Sequence, residues 1–383
     1  MKTFVLAPDS FKESMTAVQA CEAMQRGILK HDPNALCIKV PMADGGEGTV
    51  DALIAALNGQ KIECEVTGPL ANLKVKTYFG LIDHGKTAVI EMAKANGIEL
   101  LQPSKRNPLL TSTLGTGEMI AQALDLGISK LILGLGGSVT NDAGAGMAQA
   151  LGAKFLDQSG AEVAGCGGNL HRIVRVDLTQ LDPRLAQTEI IIASDVNNPL
   201  CGEHGASWVF GPQKGADRAM VQRLDQNLKH FADVVEHHLG RTYRDRAGAG
   251  AAGGLGFGLM AFAEAQLQSG AMLVIEQTHL AEKIAQADYV FTGEGSIDFQ
   301  TKFGKTPWAV AQLAKQLNKP VIAFAGKIGD DIESLFEEGF SQIVGINPEG
   351  CDLDTALKNA QTHLTEKAHE VTKGLSYFKD TVY

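Results

Sequence analysis

Thr3-Phe4-Val5-Leu6-Ala7 is a short apolar run near the start of the chain, and it ends at a proline followed by an aspartate. A run of this length bounded by turn-forming residues is typical of a buried strand. A helix is predicted to follow, with Thr16 as its N-cap and Gln19 completing a capping box. A second strand is predicted over residues 36–40 and a second helix over residues 49–57. This strand–helix–strand–helix order predicts a parallel sheet with right-handed crossovers.

The C-terminal part of the chain repeats this alternation. Its predicted strands are residues 288–292, 321–325 and 342–346, and its predicted helices lie near 306–317, 330–336 and 354–372. The middle of the chain is more mixed, because Asp83-His84-Gly85 separates two β-rich runs and indicates a hairpin. The strand-like runs of the middle are residues 73–82, 87–92, 131–135, 173–176 and 189–193.

We therefore predict an α/β fold with a discontinuous domain and an inserted domain. Residues 1–68 and 287–383 are expected to form one α/β domain with a parallel sheet, and residues 69–286 an inserted mixed α/β domain. A chain of 383 residues is longer than one ordinary domain, which agrees with two.

Charge and composition limit the classes of partner. The formal net charge is -10, and an acidic chain without a basic stripe is a poor candidate for binding nucleic acid. The six cysteines include no C-x-x-C pair, which indicates reduced thiols. No run of about 18 apolar residues occurs, so no membrane span and no membrane partner are predicted. We expect a cytoplasmic protein.

Glycine is in excess, with 43 residues of 383, which is about 11% against roughly 7% in average proteins. Four turns that follow predicted strands are rich in polar residues: residues 7–14, 41–49, 134–142 and 291–298, and the last three of them contain eight of the glycines. Backbone amides in such turns and at helix N-termini suit anions, and the carboxylates of the second turn suit Mg²⁺ or hydroxyl groups. Each turn also fits a structural alternative, such as a capped helix start, so both interpretations stay open on these residues alone.

Several familiar motifs are absent or out of context. The turn at 134–142 fails as G-x-G-x-x-G because Val139 replaces the last glycine, and Phe299 stands where a P-loop ending at Lys305 needs its first glycine. A true G-x-G-x-x-G begins at Gly248, but it follows a polar stretch rather than a strand. The histidines form no zinc-binding pattern, and no G-x-S-x-G occurs.

Six motifs in one order are more specific than any of these turns alone. They are Ala7-Pro8-Asp9-Ser10-Phe11-Lys12, Ala43-Asp44-Gly45-Gly46-Glu47-Gly48-Thr49, Gly134-Leu135-Gly136-Gly137-Ser138, Asp195-Val196-Asn197-Asn198-Pro199-Leu200, Phe210-Gly211-Pro212-Gln213-Lys214-Gly215-Ala216 and Gly250-Ala251-Ala252-Gly253-Gly254-Leu255-Gly256. This series closely resembles the bacterial glycerate kinases of the type-I family, over nearly the whole chain. Two positions depart from the family: Glu13 stands where many members have glycine, and Val139 where alanine is usual.

The resemblance implies a Rossmann-like domain built from both chain ends, an inserted domain, and an active site between them. It also implies transfer of phosphate from ATP, with Mg²⁺, to D-glycerate, most members being thought to phosphorylate the 2-hydroxyl. Formation of 3-phosphoglycerate is kept as an alternative, because regiochemistry depends on the substrate pose. A nicotinamide-dependent hydroxy-acid oxidoreductase and a non-catalytic hydroxy-acid sensor are remoter alternatives, and a homo-oligomer is left open.

The resemblance places the motif residues in the site, and the chemistry of phosphoryl transfer suggests a role for each of them as a hypothesis. Asp195 is the candidate for the catalytic base, Asp44 is the second candidate, and Lys12 is assigned to catalysis as well. Carboxylates assigned to Mg²⁺ are Asp44, Glu47 and Asp298. Amides, hydroxyls and cations assigned to the phosphates of ATP are Ser10, Gly136, Gly137, Ser138, Lys214 and Lys305. The glycerate is assigned to Arg246, which would clamp its carboxylate as a fork, and to Asn141 and Asp142.

Overall fold

The structure is a computed structural model that describes residues 1–377, so residues 378–383 of the predicted discontinuous domain lie outside the described residues. Its strands are β1 (Thr3–Leu6), β2 (Leu36–Lys39), β3 (Gln60–Thr67), β4 (Lys74–Ile82), β5 (Thr87–Glu91), β6 (Lys130–Gly134), β7 (Lys154–Leu156), β8 (Arg175–Asp177), β9 (Glu189–Ala193), β10 (Gln266–Gln268), β11 (Tyr289–Ile297), β12 (Val321–Ile328) and β13 (Gln342–Gly345). Its helices are α1 (Ala17–His31), α2 (Thr49–Leu57), α3 (Ala93–Asn96), α4 (Leu114–Asp125), α5 (Ala145–Ala150), α6 (Ala206–Phe210), α7 (Arg218–Leu239), α8 (Ala251–Ala263), α9 (Gly270–Gln277), α10 (Leu280–Ala285), α11 (Thr306–Gln316), α12 (Glu333–Glu337) and α13 (Leu353–Tyr377).

The chain divides into two compact units. Unit 1 comprises Met1–Asp44, Asp51–Asn58 and the described residues from Ala271 onward. Unit 2 comprises Gly45–Val50 and Gly59–Gly270. The domain boundaries at 68/69 and 286/287 stay a prediction.

Unit 1 contains a five-stranded sheet with the order β13-β12-β11-β1-β2. Every pairing in this sheet is parallel. Strand β1 lies between β11 and β2, so the sheet combines strands from both ends of the chain. This arrangement confirms the predicted α/β fold class and its parallel sheet.

Helix α1 begins where the sequence predicts and packs against the last helix. The Thr16 hydroxyl accepts a hydrogen bond from Gln19 N, and the Gln19 side chain accepts one from Thr16 N, which completes the capping box. At Gly27 a Cβ atom would collide with Thr365 O of α13, so glycine allows the two helices to approach closely. The apolar face of α1 joins the core of unit 1 through Ala20, Met24 and Ile28.

Unit 2 contains a mixed sheet with the order β10-β9-β6-β5-β4-β3. Strands β5, β6, β9 and β10 are parallel, whereas β3, β4 and β5 pair antiparallel. The predicted hairpin is confirmed as β4 and β5. The sequence analysis does not predict β3, because Gln60-Lys61-Ile62-Glu63-Cys64-Glu65 alternates charged and apolar residues, as an exposed edge strand does, and has no apolar run.

Two further predictions concern disulfides and membrane spans. All six cysteines lie within the described residues and are free thiols, as the sequence predicts. Among the helices of residues 1–377, none has the length and apolar character that crossing a membrane requires.

Glu13 adopts a left-handed backbone conformation, with a φ of 63°, in the turn between β1 and α1. A residue with a side chain loses about 1–2 kcal/mol in this conformation, and glycine does not. Glu13→Gly is expected to raise the free energy of unfolding by about 0.5–1 kcal/mol, because the greater freedom of glycine in the unfolded chain offsets part of the gain. Urea denaturation measures the change. Glu13→Ala keeps the strain and is the control; a glycine variant no more stable than the alanine variant would contradict the expectation.

Candidate active site

The carboxyl ends of β6 and β9 form the part of the unit 2 sheet edge where predicted site residues gather. The two strands are parallel neighbours, and their register pairs Gly134 with Ala193. Gly136 and Asp195 each lie two residues beyond this pair, and both are exposed. Neighbouring strands are about 4.8 Å apart, so a glycine turn and a carboxylate leave the sheet side by side. Ligands of open α/β sheets bind at this kind of edge.

The turn after β6 has two amides without an acceptor in the protein. Gly136 and Gly137 are exposed, and within the part of the chain that the structure describes neither amide donates a hydrogen bond. The turn is anchored, because Ile98 N donates to Gly137 O at 2.8 Å and Val139 N donates to Asn96 O at 3.1 Å. Exposed amides in an anchored turn suit an anion such as a phosphate.

The segment 45–50 packs on this turn and accounts for part of the glycine excess. A Cβ atom on Gly45 would lie 2.6 Å from Ala193 O, and one on Gly136 would lie 2.8 Å from Gly46 Cα. Both distances are too short for a real side chain. Glycine is therefore required at these positions by backbone packing, independently of any ligand.

Lys214 is enclosed by the protein and is 1% exposed. Its ammonium donates to Ser138 Oγ at 2.8 Å and to Thr140 O at 2.7 Å. Burial lowers the pKa of Lys214 to about 7, although the nearby Asp142 carboxylate acts in the opposite direction. The lysine therefore holds the turn from inside unit 2, and its ammonium does not face solvent.

Asn141 and Asp142 follow the turn and are also completely buried. Asp142 accepts hydrogen bonds from Thr113 N and Oγ1, at 2.8 and 2.9 Å, and from the amides of Gly144 and Gly146, at 3.1 and 3.3 Å. Burial raises the pKa of Asp142, and these donors oppose the rise. The contacts make Asp142 a cap for the starts of α4 and α5. The Nδ2 atom of Asn141 has no hydrogen-bond partner within the described residues.

Arg246 is exposed and lies in a loop next to the segment that follows Asp195. Its guanidinium lies over the ring of Tyr243, 4.6 Å from the centroid, which restricts the side chain. Gly250 N, in the same loop, donates to Asn198 O at 2.9 Å. An exposed guanidinium held on one face remains able to bind a carboxylate with its fork of N–H donors.

The carboxyl edge of the unit 1 sheet carries Asp9, after β1, and Asp44, after β2. The pKa of Asp9 rises to about 6, mainly because the carboxyl is buried and further because of the negative charge of Asp44. Thr306 Oγ1 donates to Asp9 Oδ2 at 2.5 Å and opposes this rise. Ser10 and Lys12 follow Asp9 in the same turn, and Lys12 is exposed.

A second carboxylate of unit 1, Glu294 in β11, is paired with Lys305. The Lys305 Nζ lies 3.5 Å from Glu294 Oε1 and donates to Ser296 O at 3.3 Å. Burial raises the pKa of Glu294 to about 7, and the positive charge of Lys305 opposes this rise. Asp298 follows β11 and is the N-cap of the short helical turn 299–303, where its Oδ1 accepts from Gln300 N at 2.9 Å.

The donor set fits Mg²⁺ only in company with phosphates. Within residues 1–377, no group of three or more His, Cys, Asp or Glu side chains could hold a metal ion by itself. Asp44 and Glu47 are exposed carboxylates, and the Asp298 carboxylate accepts hydrogen bonds as the N-cap of the turn 299–303. Mg²⁺ in phosphoryl transfer is commonly held by one or two carboxylates together with substrate phosphates.

The predicted residues thus fall into three groups. The carboxyl edge of unit 2 and its neighbouring loops have Gly136, Gly137, Ser138, Asp195, Arg246 and Glu47. The carboxyl edge of unit 1 has Ser10, Lys12, Asp44, Asp298 and Lys305. Lys214, Asn141 and Asp142 are enclosed inside unit 2. The sequence analysis assigned no role to Asp9 or Glu294, although both stand in turns it singled out, because only the structure shows their burial and partners.

Glu294 gives a pH-dependent prediction. Its pKa is higher in the folded protein than its ordinary value of 4.5, so its contribution to stability is present at low pH and is lost as the pH rises through about 7. Glu294→Gln removes this loss, and its melting temperature is expected to rise relative to the wild type between pH 5 and pH 8. Glu333→Gln, at an exposed position of unit 1, is the control. A melting difference that does not change with pH would contradict the prediction.

Comparison with known proteins identifies the family. A family model described as the glycerate kinase family matches residues 4–376. The chain is 51% identical to a glycerate kinase of Haemophilus influenzae over 374 residues, which cover 98% of this chain and 99% of that protein. It is 46% identical to the glycerate 2-kinase of Escherichia coli over 372 residues, 97% of each chain.

A solved structure agrees with this result. The crystal structure of a protein from Salmonella typhimurium LT2 with the provisional designation glycerate kinase 2 superposes with a TM-score of 0.90. The two chains are 43% identical, and the match covers 100% of both. The chain therefore belongs to the glycerate kinase family and is an enzyme, a kinase.

Proposed function

We propose that this chain transfers the γ-phosphoryl group of ATP to the 2-hydroxyl of D-glycerate and forms 2-phospho-D-glycerate and ADP. The designation of the Escherichia coli relative as a glycerate 2-kinase supports the 2-hydroxyl. The observation on which the proposal rests is the pairing of exposed amides at Gly136 and Gly137 with the exposed carboxylate of Asp195, at the ends of neighbouring strands. The amides can donate hydrogen bonds to a phosphate, and the carboxylate can accept the proton of a hydroxyl group. Family membership gives no support to the oxidoreductase and sensor alternatives.

The turn at Gly136–Ser138 is proposed to hold phosphate oxygens of ATP. Phosphoryl transfer needs little covalent chemistry from the protein, so catalysis consists mainly of positioning and of stabilising negative charge. Amides that have no acceptor in the protein can serve this purpose without first breaking a hydrogen bond.

Asp195 is proposed as the general base. The 2-hydroxyl oxygen attacks the γ-phosphorus, the bond from phosphorus to the bridging oxygen of ADP breaks, and the hydroxyl proton passes to the Asp195 carboxylate. The exposure of Asp195 supports this role, because a small substrate can approach the side chain. Asp44, which is also exposed, is the second candidate.

Arg246 is proposed to bind the carboxylate of glycerate. Its loop is bonded to the segment after Asp195 through Gly250 and Asn198, so a substrate clamp and a base would stand on adjoining loops. A bidentate contact fixes the orientation of the acid and thereby decides which hydroxyl meets the base.

The edge of unit 1 is proposed to contact the nucleotide. Lys12, Lys305 and Ser10 would bind phosphate oxygens. The positive charge of Lys12 would stabilise the negative charge that develops during phosphoryl transfer. The carboxylates of Asp44, Glu47 and Asp298 would hold Mg²⁺. When bound, the ion neutralises charge on the phosphates.

Two further proposals concern the setting of the enzyme. The use of ATP and the free thiols support a cytoplasmic location. The partners we propose are the small molecules ATP and D-glycerate, and the state of assembly is left open.

The proposal is tested by release of ADP from ATP in the presence of Mg²⁺. Release is expected to depend on D-glycerate, and to stop when glycerate is left out. D-lactate has the 2-hydroxyl but lacks the 3-hydroxyl. It is therefore the control that tests which hydroxyl accepts the phosphoryl group. ADP release that does not respond to D-glycerate would contradict the proposed function.

A further inference from the structure

The ammonium of Lys214 occupies an unusual position for a charged side chain. Lys214 is 1% exposed and makes its two hydrogen bonds to uncharged acceptors, Ser138 Oγ and Thr140 O. The backbone brings the side chain there through Gly215, whose φ of 93° is open to glycine and unfavourable for other residues. Burial of a lysine without a directly bonded carboxylate is costly.

This desolvation also affects the pKa of the side chain. Desolvation lowers the pKa of Lys214 to about 7, and the charged group that acts on it is Asp142, which favours the ammonium. Asp142 itself is engaged by four donors from Thr113, Gly144 and Gly146. A neutral amide side chain could donate to the same two oxygens with a smaller desolvation penalty. The ammonium differs from an amide in its positive charge and in having no acceptor atom.

An ammonium group can only donate hydrogen bonds. Ser138 Oγ therefore accepts from Lys214, and the hydroxyl proton of Ser138 must be directed to a different acceptor. Within residues 1–377 that proton has no acceptor. Ser138 directly follows Gly136 and Gly137, whose exposed amides also lack acceptors. Three donors on consecutive residues, the amides of Gly136 and Gly137 and the hydroxyl of Ser138, therefore have no acceptor within residues 1–377.

We propose that Lys214 is a positioning residue, which by donating to Ser138 Oγ fixes the Ser138 hydroxyl as a donor to an oxyanion bound by the turn 136–138. The lysine acts through the serine and does not touch the ligand. This deepens the proposed function and rests on it for the identity of the oxyanion, a phosphate of ATP. The carboxylate of D-glycerate has the same acceptor chemistry, so the test separates the two.

The test is a double-mutant cycle on Lys214→Met and Ser138→Ala. Equilibrium binding of ATP is measured by calorimetry for the wild type, both single variants and the double variant. Each single change is expected to raise the Kd for ATP by about tenfold or more, the effect of losing one charged or charge-assisted hydrogen bond. The double variant is expected to bind no more weakly than Lys214→Met alone, because both changes remove the same donor. Lys229→Met, at an exposed position of α7, is the control and should match the wild type.

A dependence on pH gives a second readout that needs no change at Lys214. Deprotonation of Lys214 lets it accept the Ser138 proton, so the wild-type Kd for ATP should rise between pH 6 and pH 8 more than that of Ser138→Ala. If Lys214→Met fails to fold, this comparison and Ser138→Ala alone decide the matter.

The outcomes separate this inference from the proposed function. A folded Lys214→Met with a Kd for ATP and a KM for D-glycerate both within twofold of the wild type would overturn the inference, and so would additive effects in the cycle. If the effects of Lys214→Met and Ser138→Ala are coupled but appear only in the KM for D-glycerate, Lys214 is still a positioning residue. The turn 136–138 then binds the carboxylate of D-glycerate and not a phosphate of ATP. A wild type that binds ATP with the expected coupling but releases no ADP with D-glycerate would support the inference and contradict the proposed function.

Discussion

Asp195→Asn is expected to lower kcat by about 100-fold or more, the usual contribution of a positioned general base. The amide has nearly the same shape as the carboxylate but cannot take the 2-hydroxyl proton. The KM values for ATP and D-glycerate should change much less than kcat, because binding of the anions is assigned to the Gly136–Ser138 turn and to Arg246. Asp195 is exposed at the end of β9, so its substitution leaves the core intact.

Steady-state rates at saturating ATP and D-glycerate measure this effect. Asp83→Asn is a matched control, since Asp83 is exposed in the hairpin turn before β5, at the opposite end of that strand from its carboxyl edge. Its left-handed backbone, with a φ of 50°, is one that asparagine also adopts. A decrease in kcat of less than threefold for Asp195→Asn, in a protein with wild-type melting temperature, would contradict its role as the base and favour Asp44→Asn as the next variant.

Asp142→Ala is expected to reduce the free energy of unfolding by about 3–5 kcal/mol, a large effect for one substitution. The change removes the acceptor of four hydrogen bonds and leaves their donors on Thr113, Gly144 and Gly146 unpaired in the interior. Both α4 and α5 lose their cap. Chemical denaturation followed by circular dichroism measures the loss.

The control for Asp142 is an aspartate with a similar set of local bonds at the surface. Asp157 accepts from Ser159 N and Oγ and from Ala161 N, and all three bonds are exposed. Asp157→Ala should cost about 1 kcal/mol or less. An Asp142→Ala protein that is as stable as Asp157→Ala, but has a raised KM for D-glycerate, would contradict this structural role. It would support the contact between Asp142 and glycerate that is expected in the sequence analysis.

The fold could be predicted where local signals and periodicity agree. The capping box at Thr16, the apolar runs of β1, β6 and β9, and the turn between β4 and β5 each act within a few residues, and all are confirmed. Strand β3 could not be predicted, because its exposure on a sheet edge gives it a sequence that resembles a polar loop. Pairing with β4 is a long-range property that no short pattern encodes.

The candidate site could be predicted as a set of turns, but not as a set of side-chain environments. A polar residue in a turn after a strand has the same sequence signature whether it is exposed at the sheet edge, as Asp195 is, or buried among helix-start amides, as Asp142 is. Lys214 shows the same ambiguity, since a lysine next to glycines resembles a phosphate ligand until its burial is known. The glycines at 45 and 136 permit close contact with the protein's own backbone, which the sequence does not distinguish from close approach to a ligand.

The central claim is that this enzyme phosphorylates the 2-hydroxyl of D-glycerate, and ³¹P NMR of the reaction of ATP, Mg²⁺ and D-glycerate tests it most directly. One spectrum reports both turnover and the position of the new phosphate ester. We expect the resonances of ADP and 2-phosphoglycerate to grow together at equal rates. A spectrum with 3-phosphoglycerate in place of 2-phosphoglycerate, or with no new phosphate ester, would contradict it.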